Sequence, residues 1–226
     1  MKKTILIAPF GGPLAAALAA AASAEGWSVA LAMPHDPAGP LDPAGPHDPV
    51  GAVAGEHAGA IALAYEPRSF VSASSLVLSA TNVLGELDAA VLVFDPASAK
   101  ADFLAGRPGE LSGLVEERCS GPLFLARELV RRFEARKAGT ILLLAPESPR
   151  DAALGPLAAM AGGAFEGLGL GLFAAAATAP WTAYGLRDAS GQADRAARHV
   201  LELLGDSKTT KAGRWLRFTG KSGIFG

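Results

Sequence analysis

The sequence predicts an α/β fold with a doubly wound, Rossmann-like parallel sheet of about seven strands and helices on both faces. Short apolar runs alternate with segments of helical pattern along the chain, and most of these runs are continuous. A continuous apolar strand is buried on both faces, as in a parallel sheet that helices cover. The predicted order, β-α-β-β-α-β-α-β-α-β-α-β, is that of a doubly wound sheet.

Seven strands and five helices account for the elements. The strands are expected at residues 4–9, 28–33, 60–65, 89–95, 140–145, 181–186 and 214–219. The helices are expected at residues 13–25, 72–86, 110–137, 152–178 and 191–205. Pro122 predicts a kink or break in the third helix, and Gly139 suits the position after its basic C-terminus. Ser148 or Asp151 is a suitable N-cap for the fourth helix.

One Pro/Gly-rich loop, at about residues 34–59, interrupts a chain that otherwise reads as a single domain, 1–226. It repeats a D-P-A/V-G unit three times, and its prolines exclude a helix. Histidines and aspartates in it suggest metal ligands: His35, His47, His57, Asp36, Asp42 and Asp48. A loop of this composition rarely holds ligand geometry alone, so an exposed loop without a metal is expected.

Composition excludes several classes of protein. Half of the 226 residues are hydrophobic and the net charge is −2, which gives no reason to expect a nucleic-acid partner. The one cysteine, Cys119, excludes a disulfide framework and fits a reducing cytoplasm. The first apolar run is too short for a signal peptide. We therefore expect a cytoplasmic protein.

Residues 154–180 contain a single charge, Glu166, and are long enough to cross a membrane. The segment is rich in glycine and has no basic or aromatic anchors at its ends. A helix buried at an interface is therefore expected, with no membrane partner.

Five phrases in order resemble the short-chain dehydrogenase/reductase family over nearly the whole chain. They are LAAAASAEGWSVALAM, LGELDAAVLVFDPA, CSGPLFLARELVRRFEARKAGTILLLAPES, GGAFEGLGLGL and DRAARHVLELLGDSKTTKAGRWLRFTGKSGIFG. The resemblance implies a dinucleotide-binding fold and NAD(P)-dependent oxidoreductase chemistry. Family members carry a catalytic Tyr-x-x-x-Lys, in which the lysine lowers the pKa of the tyrosine so that the phenol transfers a proton.

The catalytic positions that the resemblance implies hold residues that cannot perform this chemistry. The tyrosine position falls at Ala158 and the lysine position at Gly162. The serine position falls near Ala145 and the helix asparagine at about Arg118. The family's N-N-A-G becomes Phe94, Asp95, Pro96 and Ala97. We therefore expect no catalytic residues.

The turn after the first strand keeps two glycines, Gly11 and Gly12, but does not match the family's phosphate loop. The three glycines of the T-G-x-x-x-G-x-G pattern are replaced by Pro9, Pro13 and Ala15. Proline has no N–H to offer a phosphate, and Pro13 suits the first position of a helix. The turn is expected to pack helix on strand without binding NAD or NADP.

The helices through which family members assemble resemble the family's pattern more than the catalytic positions do. Gly163, Gly167 and Gly171 recur every fourth residue and form a strip on which another helix can approach closely. In the family this helix and the preceding one, which carries Phe124 here, form a four-helix dimer bundle. We therefore expect a homo- or hetero-oligomer.

The sequence thus predicts a degenerate member of that family, a non-catalytic subunit that pairs with a catalytically active paralogue. Two alternatives stay open. One is an NAD(P)-dependent oxidoreductase with an atypical site that uses Ser148 or Asp95. The other is a homo-oligomeric protein that binds a small ligand in an open, vacated cleft.

Overall fold

A computed structural model describes residues 2–35, 59–96, 103–147, 155–205 and 213–220 of the chain. Their strands form one seven-stranded sheet in the order β3-β2-β1-β4-β5-β6-β7, in which every pair is parallel. The strands are β1 Thr4–Ala8, β2 Ser28–Pro34, β3 Ala60–Tyr65, β4 Ala89–Val93, β5 Thr140–Pro146, β6 Thr182–Asp188 and β7 Trp215–Phe218. The predicted fold class is confirmed.

Helices cover both faces of this sheet. In the described residues they are α1 Gly12–Ala24, α2 Phe70–Leu84, α3 Pro108–Val115, α4 Gly121–Arg136, α5 Pro156–Ala176 and α6 Ala193–Gly205. A π-helical turn, Glu116–Ser120, joins α3 to α4. The core on one face is shared with α1 and α6, and the core on the other with α2, α4 and α5.

The first strand illustrates why the apolar runs are continuous. All five of its residues are buried. Ile5 and Ile7 belong to the core beneath α1 and α6, whereas Leu6 and Ala8 belong to the core beneath α2, α4 and α5. Because successive side chains of a strand point to opposite faces, a sheet covered on both sides needs apolar residues at every position.

Several expected bounds are wrong by a few residues. The first strand ends at Ala8, and α1 begins at Gly12 with Pro13 second. The helix expected from residue 152 begins at Pro156, after Gly155 rather than after Ser148 or Asp151. The reason is local: Pro9 has no N–H for the sheet ladder, and Pro156 has no N–H that an earlier helical turn would require.

The long helix expected at 110–137 differs in two further ways. Its α-helical hydrogen bonding is interrupted by the π-helical turn before Pro122, and the chain stays helical on both sides of the proline. The left-handed residue at its C-terminus is Lys137, with φ 57°, in place of a glycine. Of the Pro/Gly-rich loop, residues 36–58 lie outside the described residues.

Candidate functional site

The crevice of this sheet lies between β1 and β4, where the strand order reverses. Open parallel sheets bind ligands at this point, outside the carboxyl ends of the strands. The residues that follow β1 are Pro9 to Gly11, and those that follow β4 are Phe94 to Pro96. These two short segments therefore decide what the crevice can hold.

The turn after β1 is tied to the neighbouring strand. The Phe10 N–H donates to the Ala32 carbonyl of β2 at 2.7 Å. The Ala8–Pro9 peptide bond is cis, and Gly12 has φ 71°, a left-handed conformation that favours glycine. Since Pro13 is the second residue of α1, one of the first N–H groups of this helix is missing.

Asp95 lies against the N-terminus of α1. Its Oδ2 is 2.6 Å from the position that a Cβ on Gly12 would take. The N-terminus of a helix carries a partial positive charge and favours a negative group. The chain's own carboxylate thus lies at the place where a dinucleotide-binding sheet presents α1 to a pyrophosphate.

Phe94 fills the space beside α5. Its ring atoms are 3.5 Å from the position of a Cβ on Gly162. The same ring stacks on Phe165, with ring centroids 5.5 Å apart and planes inclined by 26°. Trp215 lies next to Phe165 and Phe173, at centroid distances of 6.3 and 5.8 Å. We call these four residues the aromatic cluster: Phe94, Phe165, Phe173 and Trp215.

Two small cavities lie among the described residues of the crevice. One cavity of about 20 Å³ borders Tyr65, Phe94, Asp95, Arg118 and Phe165. A second cavity of about 70 Å³ borders Gly11, Gly12, Phe94 and Asp95. Sites for drug-sized ligands measure about 300–1,000 Å³. Large side chains after β4 thus take up part of the space at the described positions, and the open cleft stays a prediction.

The four positions that the sequence aligned with the family's catalytic residues are distributed around this filled crevice. Ala158 is buried in α5, where it packs with Ala161 against Phe94 and Cys119. Gly162 follows one turn later, beneath Phe94. Ala145 is buried in β5. Arg118 lies in the π-helical turn, where its guanidinium pairs with Glu117 at 2.8 Å.

Two titratable groups near the crevice stay protonated at neutral pH. Burial raises the pKa of the Tyr65 phenol well above its usual value, and the nearby Arg118 lowers it by less than burial raises it. Burial also raises the pKa of the Cys119 thiol, which disfavours the nucleophilic thiolate. Tyr65 was not predicted at the site from the sequence, although its position at the end of β3 puts it on the carboxyl edge of the sheet.

Most residues of the predicted metal site lie outside the described part of the chain. Of its residues only His35 belongs to the described part, where its N–H donates to the Tyr65 carbonyl at 2.7 Å. His47, His57, Asp36, Asp42 and Asp48 lie outside the described residues, as does Ser148. Within the part of the chain that the structure covers, no three potential ligands come together as a metal site.

The glycine strip lies on the outer face of α5. Gly163, Gly167 and Gly171 are exposed, and a Cβ on any of them would meet nothing within 4 Å. Met160 and Leu170 are also exposed on this helix, by 47% and 62%. Phe124, on α4, is half-buried and meets Phe70 edge-on at 5.8 Å.

This helix is long and apolar enough to cross a membrane, and it is the one such helix in the described ranges. Seven of its residues are buried in the core, among them Leu157, Phe165, Leu172 and Phe173. Length and composition alone are weak grounds for a span, since the core helix of a globular protein passes the same test.

Solved structures match the chain along nearly its full length. The structure of levodione reductase superposes with a TM-score of 0.76 at 13% sequence identity, and the match covers 96% of each chain. The chain has the fold of the short-chain dehydrogenases. Two double mutants of a Serratia marcescens short-chain dehydrogenase/reductase match with TM-scores of 0.73 and 0.74, at 16% and 15% identity and 96% coverage of each chain. No family model and no curated protein sequence matches the chain.

The residues of the crevice do not fit the dinucleotide that this short-chain dehydrogenase fold implies. Asp95 lies at the N-terminus of α1, where like charge would repel a pyrophosphate. Phe94 packs over Gly162, and the two cavities beside it measure about 20 and 70 Å³. At the described positions of the crevice, a pyrophosphate would thus meet a negative charge at α1, and two small cavities remain beside Phe94.

Proposed function

We propose that this chain is a non-catalytic subunit with the short-chain dehydrogenase fold, which associates through α5 and α4 with a catalytically active chain of the same fold. The observation that carries the proposal is the outer face of α5, which exposes apolar and small side chains along a helix of 21 residues. The proposed complex is cytoplasmic, in keeping with a chain that has one cysteine.

The proposed lack of catalysis rests on the residues around the crevice. Ala158 and Gly162 have no group that transfers a proton, and the aromatic cluster occupies the adjoining space. Asp95 faces α1 in place of a ligand. A chain of this kind contributes to an oxidoreductase through the surface that it offers to another chain.

The proposed interface rests on the surface of α5. Its one charged residue, Glu166, is engaged by Arg187 of β6 at 3.0 Å. A helix of this length extends about 30 Å, and the glycine strip lets a second helix approach its backbone closely. Met160 and Leu170 add two large exposed apolar side chains to this helix, and contiguous exposed apolar surface is common at protein contacts.

The two alternatives have less support. An oxidoreductase that used Asp95 would need the carboxylate free to meet a substrate, whereas Asp95 lies against Gly12. A protein that binds a ligand in a vacated cleft would need volume where Phe94 and Phe165 stack.

Site-specific photo-crosslinking in the native host tests the proposal. A photoreactive amino acid replaces Met160 or Leu170 on α5, and the matched control carries it at Ala20, exposed on α1 at the opposite face of the sheet. We expect both α5 positions to crosslink to one protein whose sequence contains Tyr-x-x-x-Lys and an intact glycine-rich loop. Crosslinks only to a second copy of this chain, or no more crosslinking than at Ala20, would contradict the proposal.

Reconstitution completes the test. The crosslinked partner and this chain are co-expressed, and the mixture is analysed by size exclusion with light scattering. A mixed complex is expected. A partner that elutes separately and is fully active and stable alone would overturn the assignment.

A further inference from the structure

A groove between α2 and α4 lies beside the proposed interface. Its volume is about 290 Å³, and its lining includes Val77 and Leu78 of α2 and Glu128, Arg131 and Arg132 of α4. Leu78 is 59% exposed, and Val71, about two helical turns earlier, is 72% exposed. The groove therefore combines apolar side chains from one helix with guanidinium groups from the other.

The two helices differ in charge. No residue of α2 is charged, from Phe70 to Leu84. On α4, Glu128 is buried and is shared by two arginines: Arg127 at 2.7 Å and Arg131 at 3.1 Å. The remaining hydrogen bond to Glu128 comes from the Ser74 hydroxyl at 3.2 Å. Two guanidinium groups thus share one carboxylate; Arg131 lines the groove, and Arg127 lies beside it over the Phe70 ring, at 4.7 Å.

Arg132 also lines the groove. Its guanidinium is 3.7 Å from Glu86, a carboxylate that also pairs with Arg136 at 3.3 Å, and Arg136 pairs in addition with Asp88 at 2.8 Å. The Nε of Arg132 is buried and has no hydrogen-bond acceptor among the described residues. The four arginines of α4 thus meet three carboxylates, which leaves one positive charge in excess beside the groove.

We infer that this groove receives a helix of the partner subunit that presents a carboxylate beside a large apolar side chain. The carboxylate meets Arg127 and Arg131, and the apolar side chain lies against Leu78. This inference rests on the proposed function, because it names the chemistry of the partner's surface. Complementary charge across an interface selects between partners.

The same charges disfavour a second copy of this chain as the occupant. A two-fold interface places one patch against itself, so that each residue meets the same surface on the other copy. Where the two-fold axis passes through the groove, the arginines of two copies converge, and α2 has no carboxylate to separate them. An acidic partner removes that repulsion.

A matched pair of variants at Leu78 tests the inference in the reconstituted complex. Leu78→Glu and Leu78→Lys both place a long polar side chain at an exposed position, outside the ion pairs of Glu128. Both variants should melt like the wild type. We expect Leu78→Glu to weaken association with the partner about tenfold more than Leu78→Lys, because only the glutamate repels the partner's carboxylate.

Salt provides the second measurement. The difference between the two variants should shrink between low and high salt, since ionic strength screens exposed charges. Equal weakening by both variants would mean an apolar contact without an acidic partner residue and would overturn the inference, while leaving the proposed function intact. Unchanged affinity in both would mean that the groove lies outside the interface. Failure of the wild-type chain to form any complex would overturn the proposed function and this inference together.

Discussion

The Asp95 carboxylate lies at the N-terminus of α1, so close to Gly12 that a Cβ there would be 2.6 Å from Oδ2. The two residues are far apart in sequence and belong to the segments that follow β1 and β4. Their contact lies at the point where a dinucleotide-binding sheet presents its first helix to a phosphate. The lack of nucleotide binding that we propose thus has a structural basis in this contact.

Gly12→Ala should lower the free energy of unfolding by about 1–3 kcal/mol, because the added methyl group meets Asp95 and the residue has φ 71°. Gly11→Ala is the matched control, since Gly11 is extended and a Cβ there would meet nothing within 4 Å. Urea denaturation measures both. Equal stability of the two variants would contradict the contact between Asp95 and Gly12.

The Trp215 ring packs between β6 and α5. A Cβ on Gly185 would overlap its ring, and a Cβ on Gly169 would be 2.8 Å from it. Gly185→Ala should therefore destabilise the fold by about 1–3 kcal/mol through overpacking. The additional substitution Trp215→Leu should recover part of that loss. A Gly185→Ala variant as stable as the wild type would show that the ring does not pack there.

A substitution in the glycine strip should change the affinity for the partner without lowering the stability of the free chain. Gly167→Leu places a large side chain on the outer face of α5, where a Cβ would meet none of the described residues within 4 Å. The isolated chain should be as stable as the wild type or slightly more so, because glycine disfavours a helix by about 1 kcal/mol relative to alanine. Its affinity for the partner should fall.

Gly171→Ala is a second variant of the same strip, which adds only a methyl group at an equivalent exposed position. Thermal melting of the free chain and size exclusion of the mixture measure the two effects. Retention of the complex by Gly167→Leu would exclude the outer face of α5 as the interface.

Stability should depend on alkaline pH through Tyr65. Because burial raises the pKa of this phenol above its ordinary value of 10.0, the unfolded chain loses the proton first. The free energy of unfolding should therefore fall above pH 10, by up to about 1.4 kcal/mol for each pH unit until the folded protein titrates. Tyr65→Phe should remove this part of the decline, measured by urea denaturation between pH 8 and 11. An unchanged slope would mean that the phenol is solvated.

The elements of the fold were predictable because they depend on local patterns. Continuous apolar runs such as the one before Pro9 mark strands that are covered on both faces. The alanine-rich segment from Pro13 marks the helix that follows. The sequence phrases that resemble the short-chain dehydrogenase/reductase family then indicated where the residues of an active site would fall. The fold that the chain shares with solved short-chain dehydrogenases agrees with that resemblance.

The filling of the crevice was not predictable in the same way. Asp95 reaches Gly12, and Phe94 reaches Gly162, across long separations in sequence, and only tertiary packing decides such contacts. The sequence therefore indicated lost glycines and lost catalytic groups, and it left open what replaced them. The shared carboxylate of Glu128 is another example, because its partner Ser74 comes from a different helix.

The central claim is that this chain joins an active short-chain dehydrogenase and binds no dinucleotide itself. Calorimetric titration of the purified mixed complex with the partner's own cofactor, NAD(H) or NADP(H), tests both parts at once. We expect one equivalent of cofactor for each active chain and none for this chain, with no heat of binding when this chain is titrated alone at millimolar cofactor. A second equivalent per pair of chains, or binding to the isolated chain, would contradict the claim.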